Sequence, residues 1–165
     1  MQSKAMLKER AETLLREKKC WYVSDGVGTT FQLALGKKCL RAAPLLNKCQ
    51  SAHFRKFEGE VNLLIWCAWR LETKTKILTS SDDAVASVAH NLRRIAGQVV
   101  TNVEVALPSW DIMLEFSNRL LLHVFCVHVP GTPSFDGNWY LTTPDTLYCA
   151  GPGASFTSEP RLEAS

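Results

Sequence analysis

Residue types suited to nucleophilic or metal chemistry meet in RLLLHVFCVH, where His123 and His128 flank Cys126. On a strand successive side chains alternate between faces, so Cys126 shares a face with His128 and turns away from His123. Nucleophilic catalysis needs a thiol, a base and an orienting acid, and a structural zinc site needs clustered ligands. One cysteine beside one histidine meets neither requirement. The six cysteines (Cys20, Cys39, Cys49, Cys67, Cys126, Cys149) nowhere fall at C-x-x-C spacing. They read as reduced thiols, small and apolar in character, and no metal or cofactor is expected.

The carboxylates are equally unhelpful to catalysis. Glu58 and Glu60 flank Gly59, Asp82 and Asp83 stand where a helix start favours acids, and Asp111 and Glu115 lie at the even spacing of a solvated strand face. Gly26-Val27-Gly28 does not continue as G-x-G-x-x-G, so it reads as a turn and not as a phosphate loop. A non-enzymatic protein is the expectation.

Binding is better served by the composition. Five tryptophans occur in 165 residues, and Trp, Tyr and Arg are the residues that dominate interface energetics. Trp69 with Arg70, and Trp139 with Tyr140, are the candidate contacts. Lys37, Lys38, Arg41, Lys48, Arg55 and Lys56 form a basic run with no acid before Glu58. The net charge of +3 divides unevenly, since residues 1–100 carry 17 Lys/Arg against 9 Asp/Glu and residues 101–165 carry 2 against 7. Such a dipole suits an acidic protein partner. Nucleic acid is not expected: the nearby Phe54 and Phe57 read as hairpin core, and the acidic second half repels a polyanion.

The elements that would hold these residues read as helix, strands, helix, strands. Ser3 to Lys18 is an amphipathic helix capped by Ser3, and 20–23 and 29–35 form a hairpin. A second hairpin is predicted around Gly59, with its strand running on to Leu71. A helix over 84–95 is capped by Asp82 and Asp83 and closed by Gly97. Strands follow at 99–107, 110–116, 119–129, 138–142 and 146–150, with an exposed loop over 130–137. The tail 151–165 lacks an apolar pattern and is read as mobile.

The strands repeat. Phe57-Glu58-Gly59 aligns with Phe116-Ser117-Asn118, and Leu63, Ile65, Trp66 and Cys67 align with Leu122, Val124, Phe125 and Cys126. Trp69-Arg70-Leu71 then matches Trp139-Tyr140-Leu141, Ile77-Leu78 matches Leu147-Tyr148, and Phe31–Leu35 resembles Val103–Leu107. The expectation is one α+β domain over 1–150, with two related halves (about 20–80 and 99–150) that each supply a helix and antiparallel strands.

The segments NLLIWCAWRLE with TSSD, and DIMLEFSNRLLLHVFC with NWYL, resemble a group of small bacterial proteins of uncharacterised function, similar in size and texture to immunity proteins of toxin systems. That resemblance implies a role in binding another protein. With no apolar run of about eighteen residues and no secretory signal at the N-terminus, the expected setting is the cytoplasm, with no membrane partner. A second reading is a ligand-binding or enzymatic module with a pocket between the halves, using Arg70 or His128 as polar anchors.

Overall fold

Alternation of buried and polar residues at period two builds strands through most of the chain. The computed structural model describes residues 2–26, 28–131 and 137–162. They form an α+β domain with helices α1 (Lys4–Leu15), α2 (Ala52–Lys56) and α3 (Val85–Leu92). The strands are β1 (Cys20–Asp25), β2 (Phe31–Leu40), β3 (Phe57–Ile65), β4 (Ala68–Glu72), β5 (Ile77–Ser80), β6 (Val100–Ala106), β7 (Asp111–Phe116), β8 (Leu121–Phe125), β9 (Trp139–Thr142), β10 (Thr146–Gly151) and β11 (Ser155–Pro160). The predicted loop over 130–137 lies largely outside the described residues. None of the described helices is long and apolar enough to cross a membrane.

Two antiparallel sheets result, ordered β1-β2-β3-β9-β10-β11 and β5-β4-β8-β7-β6. Exchanging β1–β3 with β6–β8, and β9–β10 with β4–β5, converts one order into the other, β11 excepted. Register follows the same relation: Leu63 faces Leu141 and Ile65 faces Trp139 in the first sheet, as Leu122 faces Leu71 and Val124 faces Trp69 in the second. Under this relation the counterpart of 31–35 is β7, not 103–107 as the sequence suggests, because Leu33 and Leu114 are the residues facing Leu63 and Leu122. Likewise Thr79, not Leu78, corresponds to Tyr148, since they face Leu71 and Leu141. The inner faces of both sheets share one buried cluster that includes Trp69, Trp110 and Trp139.

The chain passes from the first sheet to the second at Trp66 and Cys67, whose amides both donate to the Asn138 carbonyl at 2.9 and 3.1 Å. The predicted single strand from Glu60 to Leu71 is therefore two strands in two sheets. Gly59 is also not a hairpin turn. It sits within β3, where a Cβ would stand 2.6 Å from the Leu35 nitrogen and 2.7 Å from its carbonyl oxygen. Close approach of two backbones, not a turn, is what excludes a side chain there. The residues before it form α2, started by Ser51, whose hydroxyl accepts from the Phe54 amide at 3.1 Å.

Asp83 does not cap α3. Its carboxylate accepts from the Ser80 amide at 2.9 Å and the Thr79 hydroxyl at 3.0 Å, and the helix starts without a side-chain cap at Ala84. The turn that precedes the helix has taken the acid. The tail differs too: 155–160 pairs with β10, and Phe156 stacks on Trp110 with ring centroids 4.2 Å apart. One aromatic ring reaching the core and a ladder of backbone hydrogen bonds order a segment that has no side-chain periodicity.

Helix α1 covers the edge of β6, and the Val105 amide donates to Glu12 Oε1 at 2.9 Å. Burial pushes the Glu12 carboxyl up, but the Lys8 ammonium, the Val105 amide and the charges of Lys8 and Arg16 outweigh it, leaving it below the ordinary 4.5. A depressed carboxyl contributes stability that is complete above its unfolded value and is lost as pH falls through the folded one. Glu12→Gln should therefore flatten the fall of the urea midpoint between about pH 5 and pH 3. An acid profile identical to wild type would remove Glu12 from this account.

Candidate functional site

Glu58 lies two residues beyond the end of α2, and the residue is almost fully buried at 9% exposure. A carboxylate so placed must be paired. Arg161, just beyond β11, holds it with both terminal nitrogens, Nη1 to Oε1 and Nη2 to Oε2, each at 3.0 Å. Arg41, just beyond β2, donates Nη1 to Oε2 at 3.1 Å and Nε to the Phe54 carbonyl at 3.0 Å. Arg161 is positioned by the β9–β10 turn, donating its amide to the Asp145 carbonyl at 2.8 Å and Nη1 to that of Thr143 at 3.3 Å. The guanidinium of Arg41 lies over the Phe54 ring at 4.8 Å, and that ring stacks on Tyr22 at 4.6 Å.

Two cations surround one anion here, so the centre keeps a surplus of positive charge. Burial draws the Arg41 guanidinium below its ordinary value; Glu58 works against this and Arg161 adds to it. Among the described residues, Arg41 Nη2 is sealed from solvent with no hydrogen-bond acceptor, and so is Nε of Arg55 in α2. A buried donor left unmatched costs about 1–3 kcal/mol, more for a charged group.

Two clefts open on this centre. One of about 430 Å³ is bounded by Leu40, Arg41, Leu45, Glu58, Arg161 and Leu162. The other, about 390 Å³, is bounded by Leu40, Arg41, Pro44, Ala52, Arg55 and Lys56. Leu40 and Leu162 are 66% and 90% exposed, so apolar rims border the charged floor. The 41–45 segment is tied to α2 by amides of Arg41 and Leu45 that donate to the Lys56 and Arg55 carbonyls at 3.0 and 2.9 Å.

Of the basic run, Arg41, Arg55 and Lys56 converge here, whereas Lys37, Lys38 and Lys48 stay at the surface. The Lys38 ammonium lies 5.1 Å over the Trp21 ring. Trp69 and Trp139 are buried at 2% and 0% exposure, so neither offers a ring to a partner. Each instead anchors one half, with Nε1 donating to the Thr29 carbonyl at 2.9 Å and the Trp110 carbonyl at 2.8 Å. The alternation was legible, but both tryptophans face inward. Arg70 is half-exposed on the outer face of the second sheet, donating Nε to Glu72 at 2.7 Å and lying 5.4 Å over the Phe125 ring. Tyr140 is half-buried on the outer face of the first sheet, opposite Leu64. Glu58 and Arg161 were not legible as a pair, being 103 residues apart with the arginine in an unpatterned tail.

The register that sets Ala68 opposite Phe125 brings Cys67 opposite Cys126. The Cys67 thiol, burial and the Asp111 carboxylate all push the Cys126 thiol far above its ordinary value, and burial alone pushes Cys20 up to about 12. Thiols so raised are poor nucleophiles. His128 donates its amide to Asn138 Oδ1 at 3.0 Å, and Nδ1 lies 3.2 Å from the Gly137 carbonyl. Neither His128 nor Arg70 lines the two clefts. Among the described residues no three His, Cys, Asp or Glu side chains gather as a metal site would need.

No family model matches the chain, and neither a curated protein nor a solved structure matches it.

Proposed function

We propose that this chain is a non-enzymatic bacterial protein-binding domain acting in the cytoplasm, of the kind that toxin-system immunity proteins represent, and that an acidic segment of its partner docks across the two clefts at Arg41. The observation that carries the reading is the pairing of exposed leucines with surplus positive charge: Leu40 and Leu162 stand open beside Arg41 and Arg161. Arginine is among the residues on which interfaces concentrate their energy, with neighbouring contacts that exclude water, and the complementary charge speeds and orients the encounter. The sequence resemblance supports the immunity setting. Matching strand order and register support reading the halves as an internal duplication.

Leu40→Asp and Leu162→Asp test the docking face, because both side chains are already in water and the fold should tolerate the change. In affinity capture from the cells of origin, the wild-type chain should hold one acidic protein at stoichiometric yield, and either variant should lose it. A monomer that carries only a small molecule, or a partner held equally by both variants, would overturn the reading.

A further inference from the structure

The smaller cleft has a chemistry of its own. Every ionisable side chain that bounds it, Arg41, Arg55 and Lys56, is a cation. Among the described residues no ion pair engages Arg55 or Lys56; the Lys56 ammonium lies 5.5 Å over the Phe57 ring. Glu58, the nearby anion, is already taken by three guanidinium N–H donors from Arg161 and Arg41. Two further guanidinium nitrogens, Arg41 Nη2 and Arg55 Nε, are left sealed and without an acceptor among the described residues, on the two arginines that bound this cleft. The remaining walls, Leu40, Pro44 and Ala52, are apolar and exposed, so a segment docked over them would shield a charge pair formed there from water.

From this arrangement we infer that the cleft is a carboxylate-binding subsite, taking an aspartate or glutamate side chain of the docking protein. The inference rests on the docking face proposed above and names the chemical group that anchors it. A guanidinium that turns onto a carboxylate matches two parallel N–H donors to two oxygens. Nucleic acid fits less well. The ring nearest the arginines, Phe54, is buried between Tyr22 and Arg41 and offers no platform for a base.

Arginine Nε–H groups give their own nuclear magnetic resonance signals, so the site can be watched directly in uniformly labelled full-length protein. Sodium acetate at constant ionic strength should move the Arg41 and Arg55 Nε–H signals along a saturable curve. Arg55→Lys, which keeps the charge and loses the planar fork, should weaken that affinity about tenfold. Arg94→Lys should leave it unchanged. A linear response to acetate, saturation by chloride to the same extent, phosphate binding more tightly than acetate, or an unaltered Arg55→Lys would each overturn the subsite. If acetate saturates while Leu40→Asp keeps the captured partner, the docking face falls and the subsite stands. If Leu40→Asp loses the partner while acetate never saturates, the subsite falls and the docking face stands.

Discussion

Trp139→Ala is expected to lower the free energy of unfolding by about 4 kcal/mol, and Trp69→Ala to do the same to within about 1 kcal/mol. Each ring is fully enclosed and holds one of the two halves through an indole N–H to a backbone carbonyl, and Trp69 meets Phe31 edge-on at 4.9 Å. Truncation removes the transfer free energy of a large aromatic, opens a cavity that the opposing sheet cannot collapse into, and leaves a carbonyl without its indole donor. Arg70→Ala, one residue from Trp69 but half in water, should cost under about 1 kcal/mol. Urea unfolding with an unchanged denaturant slope is the measurement. A loss below about 1 kcal/mol for Trp139→Ala would show that the ring does not sit in the shared core.

Glu58→Ala is expected to cost about 3 kcal/mol, because it strands Arg41, whose side chain is only 10% exposed, without its counter-charge. Arg161 contributes less despite its two-pronged grip. Its side chain is 34% exposed, so solvent takes back much of what the pair supplies, and Arg161→Ala should lose under about 1 kcal/mol. Glu58→Gln combined with Arg41→Met should lose less than the two single changes added together, since removing both charges leaves neither buried alone. Chemical denaturation of the five variants, the two singles of the cycle included, checks the pattern. Equal losses from Glu58→Ala and Arg161→Ala would contradict an account based on burial.

The α+β class and most strands were written in the sequence, because period-two and period-3.6 patterns are local and side chains declare them. The likeness of Leu63, Ile65 and Trp69 to Leu122, Val124 and Trp139 could likewise be read before any strand was paired, and all six lie in the core. Where the chain changes sheets was not readable. Trp66 and Cys67 look like two more strand residues, and only the Asn138 carbonyl, brought from the other half, makes them a crossing. Gly59 shows the same limit, since a glycine that admits a neighbouring backbone looks identical to one that makes a turn.

The basic run was evident as charge, but its division was not. Arg41, Arg55 and Lys56 are gathered by the folding of 41–45 onto α2, while Lys37, Lys38 and Lys48 remain in solvent. Glu58 and Arg161 meet because β11 continues the sheet beyond β10 and ends beside the β9–β10 turn. Sequence determines which faces are apolar and where charge is concentrated, since both follow from side-chain type and spacing. Which charges end up paired, sealed or left with an unmatched donor depends on contacts across 103 residues of chain, and only the tertiary structure decides those.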